Sequence, residues 1–373
     1  MTMQIGGAGS SGPVVVGVGS ALVDILARET DDFLEKSGAI KGGMVYVDAA
    51  HIDRVLAGSA ATPTVVPGGS ACNTVVGVSK LGVAARFVGR CGRGAMGKFF
   101  ENALRSHLVE PVLTRSGSPT GRVLSIITPD AERSMFTFLG AAAEIQPQDL
   151  DHGCFEGAAI VHIEGYLLFN PSVMQAALSA AKAAGAMVSL DLASFNVVEE
   201  SRALLADIVR DYVDILIANE DEARAYTGHT DPEPALEALS RDVGIAALKL
   251  GPRGSRVACD GRVVHVAPVG DGRAVDTTGA GDLWAAGFLF GLTRGYPLAA
   301  CGAIGSACGY EVCQVVGASL PDQGWERIRK SLEKPGEYRY KQKPAPVCAD
   351  PTISGGGPHI AAQRPAPPCS GRT

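Results

Sequence analysis

Short β-rich runs alternate with helical patterns along most of this chain, and that rhythm constrains the fold more than any single motif. Val14–Val18 reads as a strand. Ala71–Lys80 reads as a helix, followed by a strand over Ala84–Val88 and a helix over Lys98–Ser106. Ala158–Ile163, Met187–Leu190, Val213–Ile217 and Ile245–Leu250 are apolar, β-branched runs. Helical patterns over Ser172–Ala184, Glu199–Arg210 and Glu220–Tyr226 separate them. Apolar strands joined by helices predict an α/β fold whose sheet is mainly parallel and covered on both faces. In such sheets crossovers are right-handed and ligands bind at the carboxyl ends of the strands.

Two places break the rhythm. Met44–Val47 is a short β run, and Arg122–Thr128 and Ser134–Phe138 flank the turn signal Pro129-Asp130-Ala131-Glu132. These predict antiparallel strands inserted around residues 40–48 and 120–140. They form either a lid over a site or an ordinary edge hairpin. The last third is helical over Ala280–Leu292, Leu298–Cys313 and Gln323–Leu332. The expected organisation is a flexible leader over residues 1–12, a globular domain over 13–334 and a disordered tail, rich in Pro and Gly, over 335–373.

Composition excludes several function classes. Hydrophobic residues at 46% and charged residues at 19% describe a soluble globular chain. A diffuse net charge of −6 argues against a nucleic-acid partner, and no apolar run approaches the ~20 residues of a membrane span. The start, MTMQIGGAGSSG, carries no Lys or Arg and no long apolar core, so the expectation is a flexible leader rather than a signal or transit peptide. The nine cysteines are scattered without a Cys-x-x-Cys pair. Cys72, Cys91, Cys154, Cys301 and Cys308 lie in apolar segments, so the expectation is reduced, buried thiols and a cytoplasmic location.

Three glycine-rich segments compete as ligand loops. In CGRGAMGKFF (Cys91–Phe100), Gly92, Gly94 and Gly97 have dinucleotide-loop spacing, and Gly97-Lys98 mimics a Walker A end. Phe99 stands where a Walker loop needs Ser or Thr. Glu110, at the distance of a ribose-binding carboxylate, is followed by Pro111 and preceded by no clear strand. This segment therefore reads as a scaffold turn, with Lys98 facing solvent. The second segment is Asp276-Thr277-Thr278-Gly279-Ala280-Gly281-Asp282. It enters a helix, so small residues expose backbone N–H groups to an anion at the positive end of the helix dipole. Asp282 then either caps its own helix or acts as a general base beside an anion hole. The third, Pro67-Gly68-Gly69-Ser70-Ala71-Cys72-Asn73, opens a helix with Ser70 as candidate N-cap and Asn73 able to bond hydroxyls.

Taken together these strings resemble the PfkB (ribokinase-like) family of carbohydrate and nucleoside kinases. GGSACN (Gly68–Asn73) is similar to its first signature and DTTGAGD followed by Leu283-Trp284 to its second. Asn219-x-x-Glu222 resembles the family's magnesium and phosphate motif, KLGPRGS (Lys249–Ser255) its nucleotide-side turn, and Asp24 its substrate-hydroxyl aspartate. The resemblance spans roughly Val14 to Lys334, with the motifs in the family's order. It implies a three-layer α/β/α sandwich, ribokinase-like, with a small β-sheet lid. It implies ATP-dependent phosphoryl transfer to a primary alcohol, with Asp282 as base and the amides of Gly279, Ala280 and Gly281 as anion hole. ATP would be held by Asn219, Lys249, Gly251, Gly254, Thr278, Gly279 and Gly281, and the acceptor by Asp24, Gly68, Gly69 and Asn73. Asn219 and Glu222 would organise Mg2+ through water. A monovalent cation such as K+ beside Asp276 and Gly317–Ser319 is a further family feature.

The acceptor is a small molecule. The segments TPDAERSMFTFLGAA and DTTGAGDLWAAGFLFGLTRG look most like the bacterial and plant proteins grouped with adenosine kinases. Thr278 departs from the Asn usual in eukaryotic ones. A ribonucleoside is therefore the leading acceptor and a free sugar such as ribose or fructose the alternative; a non-catalytic nucleotide- or sugar-binding regulator is the alternative of another class. Met135, Phe136, Phe138 and Tyr46 either contact the acceptor or pack a core. Arg133 reaches the phosphates or stays a solvated turn residue. The chain is expected to be a monomer or a homodimer.

Overall fold

The computed structural model describes residues 12–130 and 132–332. The leader expected over 1–12, apart from Gly12, and the tail expected over 335–373 lie outside those residues. The described chain holds two sheets. The larger has nine strands: β1 (Val14–Val18), β5 (Ala84–Gly92), β6 (Val109–Ser116), β9 (Ala158–Glu164), β10 (Met187–Asp191), β11 (Ile215–Asn219), β12 (Ile245–Lys249), β13 (Ser255–Cys259) and β14 (Arg262–Val266). Their spatial order is β14-β13-β12-β11-β10-β9-β1-β5-β6. All neighbours pair parallel except β12-β13-β14, an antiparallel meander whose last two strands were not among those expected from the sequence.

Helices cover both faces, giving the three-layer sandwich. On one side lie α3 (Ser70–Lys80), α4 (Ala95–Ser106), α9 (Ala280–Thr293), α10 (Leu298–Val312) and α11 (Asp322–Leu332). On the other lie α5 (Pro171–Ala183), α6 (Phe195–Tyr212), α7 (Glu220–Thr227) and α8 (Pro232–Leu239). The alternation of side chains divides each strand between these cores. Val161, Ile163, Val188, Leu190, Leu216 and Leu248 face the second core. Val15, Ile160, Ile215, Ile217 and Ala247 face the first. Helix α9 is apolar all round and is buried from Leu283 to Gly291, as its composition requires. It lies close against α10: a side chain at Gly287 would sit 2.7 Å from the Ile304 carbonyl.

The smaller sheet has the order β3-β8-β7-β2-β4, with β2 (Leu22–Arg28), β3 (Met44–Tyr46), β4 (Thr64–Gly68), β7 (Thr120–Ile127) and β8 (Arg133–Gly140). Sequence reading found three of these strands and expected antiparallel pairing. β7–β8 and β2–β4 are antiparallel, but β3 pairs parallel to β8 and β2 parallel to β7. The missed strands β2 and β4 come from segments interrupted by Asp24, Pro67 and Gly68. Val23, Ile25, Ala27, Leu124, Ile126 and Phe136 share one face of this sheet. Two short helices, α1 (Asp31–Ser37) and α2 (Ala49–Gly58), cover it through Leu34, Ile52 and Val55, with His51 against the Phe136 ring at 4.7 Å. The chain passes between the two sheets four times, after β1, β4, β6 and β8.

Other boundaries needed correction. Glu110 does lie in a strand, β6, and Pro111 is tolerated there because β6 is an edge strand. The strand expected over Val213–Ile217 begins two residues later, because Val213 still closes α6 by donating to the Val209 carbonyl at 3.3 Å. The turn CGRGAMGKFF is a packing device. A side chain at Gly97 would stand 1.9 Å from the Gly92 carbonyl, so glycine lets α4 sit on the end of β5. The Gly92 amide donates to Thr120 Oγ1 at 3.0 Å and its carbonyl accepts from Arg115 Nη1 at 3.1 Å. The protein itself fills this loop, and Lys98 is exposed.

Candidate active site

Four neighbouring parallel strands end on a polar residue: β9 on Glu164, β10 on Asp191, β11 on Asn219 and β12 on Lys249. All four lie at the carboxyl edge of the sheet, on the face covered by α3 and α9. This is the edge where open α/β sheets bind ligands.

The N-termini of α3 and α9 meet above that edge. Each is preceded by a glycine with positive φ, Gly69 at 99° and Gly279 at 71°. A side chain at Gly69 would lie 2.3 Å from the Ser20 carbonyl, and one at Gly279 would lie 2.6 Å from Ala318 Cβ. These positions therefore demand glycine on both conformation and space. Ser70 is not the N-cap of α3. Gly69 holds that place, and the Ser70 hydroxyl instead donates to Asp282 Oδ1 at 2.7 Å. Asn73 Nδ2 donates to Asp282 Oδ2 at 2.9 Å, and Thr74 Oγ1 donates to the Asp282 carbonyl at 3.2 Å. Asp282 is thus held by α3 rather than capping its own helix. Burial raises its pKa, and the hydrogen bonds from Asn73 and Ser70 oppose that rise.

Of the three amides expected to form the anion hole, that of Ala280 donates to the Thr277 carbonyl at 3.1 Å. The amides of Gly279, Gly281 and Asp282 meet no acceptor among the described residues. Thr278 turns inward: its amide and hydroxyl donate to Asp276 Oδ1 at 2.9 and 2.6 Å. Asp276 Oδ2 accepts from the Gly317 amide at 2.8 Å, so the segment around Gly317–Ser319 does come to Asp276.

Asn219 and Glu222 form a reciprocal capping box at the start of α7. Glu222 N donates to Asn219 Oδ1 at 2.9 Å, Asn219 N to Glu222 Oε2 at 2.7 Å and Asn219 Nδ2 to Glu222 Oε1 at 2.7 Å. Glu222 is buried, not a solvated charge, and burial raises its pKa to about 7. Lys249 Nζ donates to Asp191 Oδ2 at 2.8 Å. Burial pushes the Asp191 carboxyl up, but the ammonium outweighs it and holds the pKa below its ordinary value. Glu164 accepts from the amides of Ser20 at 2.8 Å and Ala71 at 3.1 Å, clamping the first crossing between sheets to α3. Beneath these groups lies the fully buried His162, whose Nδ1 meets Ser189 Oγ at 3.0 Å; burial lowers its pKa to about 4.

The smaller sheet closes the cleft from above. Asp24, Val123, Met135, Thr137, Met44 and Tyr46 share its inner face. Phe136 and Phe138 point to the outer, core-packed face, which divides the four side chains singled out from the sequence. A side chain at Gly68 would occupy the place of the Asp24 carboxyl, 2.3 Å from its Cγ. Burial raises the Asp24 pKa to about 7, with Arg133 opposing and Asp282 adding to the shift. The Arg133 guanidinium stands 3.8 Å from Asp276 Oδ1, on the site side rather than in a solvated turn. Gly251 and Gly254 bound the turn after β12, beside a cavity of about 350 Å³ lined by Leu250, Arg253, Ser255, His265 and Ala267.

Sequence reading had not singled out Glu164 or Asp191, and gave Ser70 only the role of a helix cap. The signal for the first two was present in VHIE and VSLD, apolar runs that end on a carboxylate.

The profile of the pfkB family of carbohydrate kinases matches residues 42–324. The chain belongs to the PfkB family. The fold agrees: a probable sugar kinase protein from Rhizobium etli superposes with a TM-score of 0.79 at 31% identity, over 86% of this chain and 99% of that one. The adenosine kinase of Sinorhizobium meliloti gives 0.78 at 34% identity, over 86% and 100%. The 5-dehydro-2-deoxygluconokinase of Geobacillus thermodenitrificans is 26% identical over 62% of this chain and 73% of its own. This PfkB protein is a sugar or nucleoside kinase, and the family implies ATP as phosphoryl donor. Among the described residues no helix is long and apolar enough to cross a membrane.

Proposed function

We propose that this kinase transfers the γ-phosphoryl group of ATP to a primary hydroxyl of a ribonucleoside, with Asp282 as general base. The observation that carries the reading is the placement of Asp282. It is buried, steered by Ser70 and Asn73, and adjoins the unpaired amides of Gly279 and Gly281. A hydroxyl facing Asp282 gives up its proton to that carboxylate as its oxygen attacks the γ-phosphorus. The bond from phosphorus to the bridging oxygen breaks and ADP leaves. The amides stabilise charge on the transferred group, and positioning supplies much of the rest. Asp24, recessed between Gly68 and the inner face of the lid, accepts hydrogen bonds from acceptor hydroxyls.

Aromatic side chains support a nucleoside over a free sugar. Tyr46 on the lid edge, and Tyr166, Phe169 and Phe195 beyond the ends of β9 and β10, are all more than a third exposed. Exposed rings at the mouth of a polar cleft suit the flat face of a base. The fit for Mg2+ is indirect. Both Glu222 oxygens are engaged by Asn219, and no cluster of three His, Cys, Asp or Glu stands ready among the described residues. That set suits a hydrated ion bound mainly by phosphates, with Asn219 and Glu222 holding its waters; when bound, the ion neutralises phosphate charge. Asp276 with the Gly317–Ser319 segment is the place for K+.

An ADP-release assay over purine nucleosides, pyrimidine nucleosides, ribose, fructose and related sugars tests the reading. Turnover of nucleosides supports it. Turnover of sugars alone replaces the acceptor. ATP binding without any turnover would indicate the regulator.

A further inference from the structure

We propose that Lys249 is a catalytic cation at the phosphoryl-transfer end of the cleft, and that Asp191 is its positioning residue. The proposal rests on the kinase reading above and changes the place of Lys249 within it, from the nucleotide-side turn to the anion hole.

Lys249 is the last residue of β12, while the turn that lines the neighbouring cavity begins two residues later at Gly251. Its side chain points along the sheet edge toward α9, not into that cavity, which it does not line. The Nζ atom stands 3.1 Å from where a Cβ on Gly281 would be. It therefore abuts the first turn of α9, beside the Gly281 amide that meets no acceptor. An ammonium carries three donors. One goes to Asp191; the other two meet no acceptor among the described residues.

The charge balance explains why a cation is needed there. Asp191, Glu222 and Asp282 all act on Lys249 through space. Three carboxylates around one ammonium form a floor that would repel a polyphosphate. Lys249 is the group of this floor that offsets the repulsion at the point where the phosphoryl oxygens would meet the amides. Asp191 fixes the ammonium because it is itself immobile. It ends β10, is almost fully buried, and its second oxygen accepts from the Ala193 amide at 3.0 Å. A buried pair that only held the sheet together would gain little over apolar residues. A preorganised cation aimed at developing charge is worth far more.

Four variants test this in the full chain: Lys249→Met, Lys249→Arg, Asp191→Asn and the double variant Asp191→Asn/Lys249→Met. Calorimetric titration measures binding of ADP and of a non-hydrolysable ATP analogue, and steady-state assays measure kcat and KM. Lys249→Met should weaken the analogue at least tenfold more than ADP and lower kcat by roughly 100-fold or more. Asp191→Asn should lower kcat about tenfold with little change in either KM. Lys249→Arg should retain more activity than Lys249→Met. The double variant removes both charges, so it should unfold in urea near the wild-type midpoint yet keep the low kcat. Equal losses for ADP and the analogue, or recovery of kcat in the double variant, would overturn the proposal. If the wild type turned over no acceptor, the kinase reading would fail, while the two titrations would still decide whether Lys249 faces a terminal phosphate.

Discussion

Asp24 is predicted to weaken the fold in return for its position in the cleft, and Asp24→Asn exposes this. Burial raises the carboxyl pKa from 3.8 to about 7. A group whose acidic pKa rises on folding is protonated in the folded state over that window and ionised in the unfolded one. Stability therefore falls as pH climbs from 3.8 to about 7 and stays low above it. At 1.36 kcal/mol for each pH unit, the full penalty is about 4 kcal/mol at pH 8 and about 1.5 kcal/mol at pH 5. Asparagine carries no such penalty and leaves Arg133 its contact with Asp276. Urea unfolding of the ligand-free protein should then show Asp24→Asn more stable than wild type at pH 8, with the gap shrinking by about 2.5 kcal/mol at pH 5. The same variant should raise the acceptor KM about 100-fold, since charge-assisted hydrogen bonds are worth roughly 1.5–3 kcal/mol each. A gap that is absent at pH 8, or that does not change with pH, would refute the argument that the carboxyl is held against its own solvation.

Asp282→Asn should cut kcat by roughly 1000-fold or more while leaving the ATP Kd within a few-fold, measured by turnover and titration. Ser70→Ala removes a hydrogen bond that holds the Asp282 pKa down, so the acidic limb of the kcat–pH profile should move to higher pH. Tyr46→Ala with Tyr166→Ala should raise the KM for nucleosides about tenfold and leave that for ribose nearly unchanged, in a direct comparison of the two acceptors. Gly97→Ala should lower the urea midpoint without altering the ADP Kd, because the new methyl meets the Gly92 carbonyl and no ligand.

How much could be read from the sequence depended on which interactions were local. Strands such as Val14–Val18 and Ile215–Asn219 are apolar on both faces along nearly their whole length, so composition alone marks them as central and parallel. DTTGAGD declared itself because an apolar helix follows it directly. β6 was missed because Pro111 forbids a central strand, and only the tertiary position at the sheet edge permits it. Ser70 was read as a cap because a serine before a helix usually is one. Its true partner is 212 residues away, and no local rule reports such a distance. The parallel register of β3 on β8 depends on how α1 and α2 route the chain, which is again not a local property. The pairing of Lys249 with Asp191 had the same character: each closes an ordinary-looking strand, and only the sheet order makes them neighbours across β11.

The two ladders joined by four crossings have a consequence for how such a protein can change. The groups proposed to face phosphate, Lys249 and Gly279–Asp282, hang on the nine-stranded ladder and the helices packed upon it. Those proposed to face the acceptor from above, Asp24, Tyr46 and Met135, hang on the five-stranded one, which has its own strand register and its own two helices, α1 and α2. A substitution on the smaller ladder leaves the hydrogen-bond register of the larger one intact. Substrate preference is therefore free to drift, or to be transplanted with a segment of the lid, while the chemistry beneath is inherited unchanged.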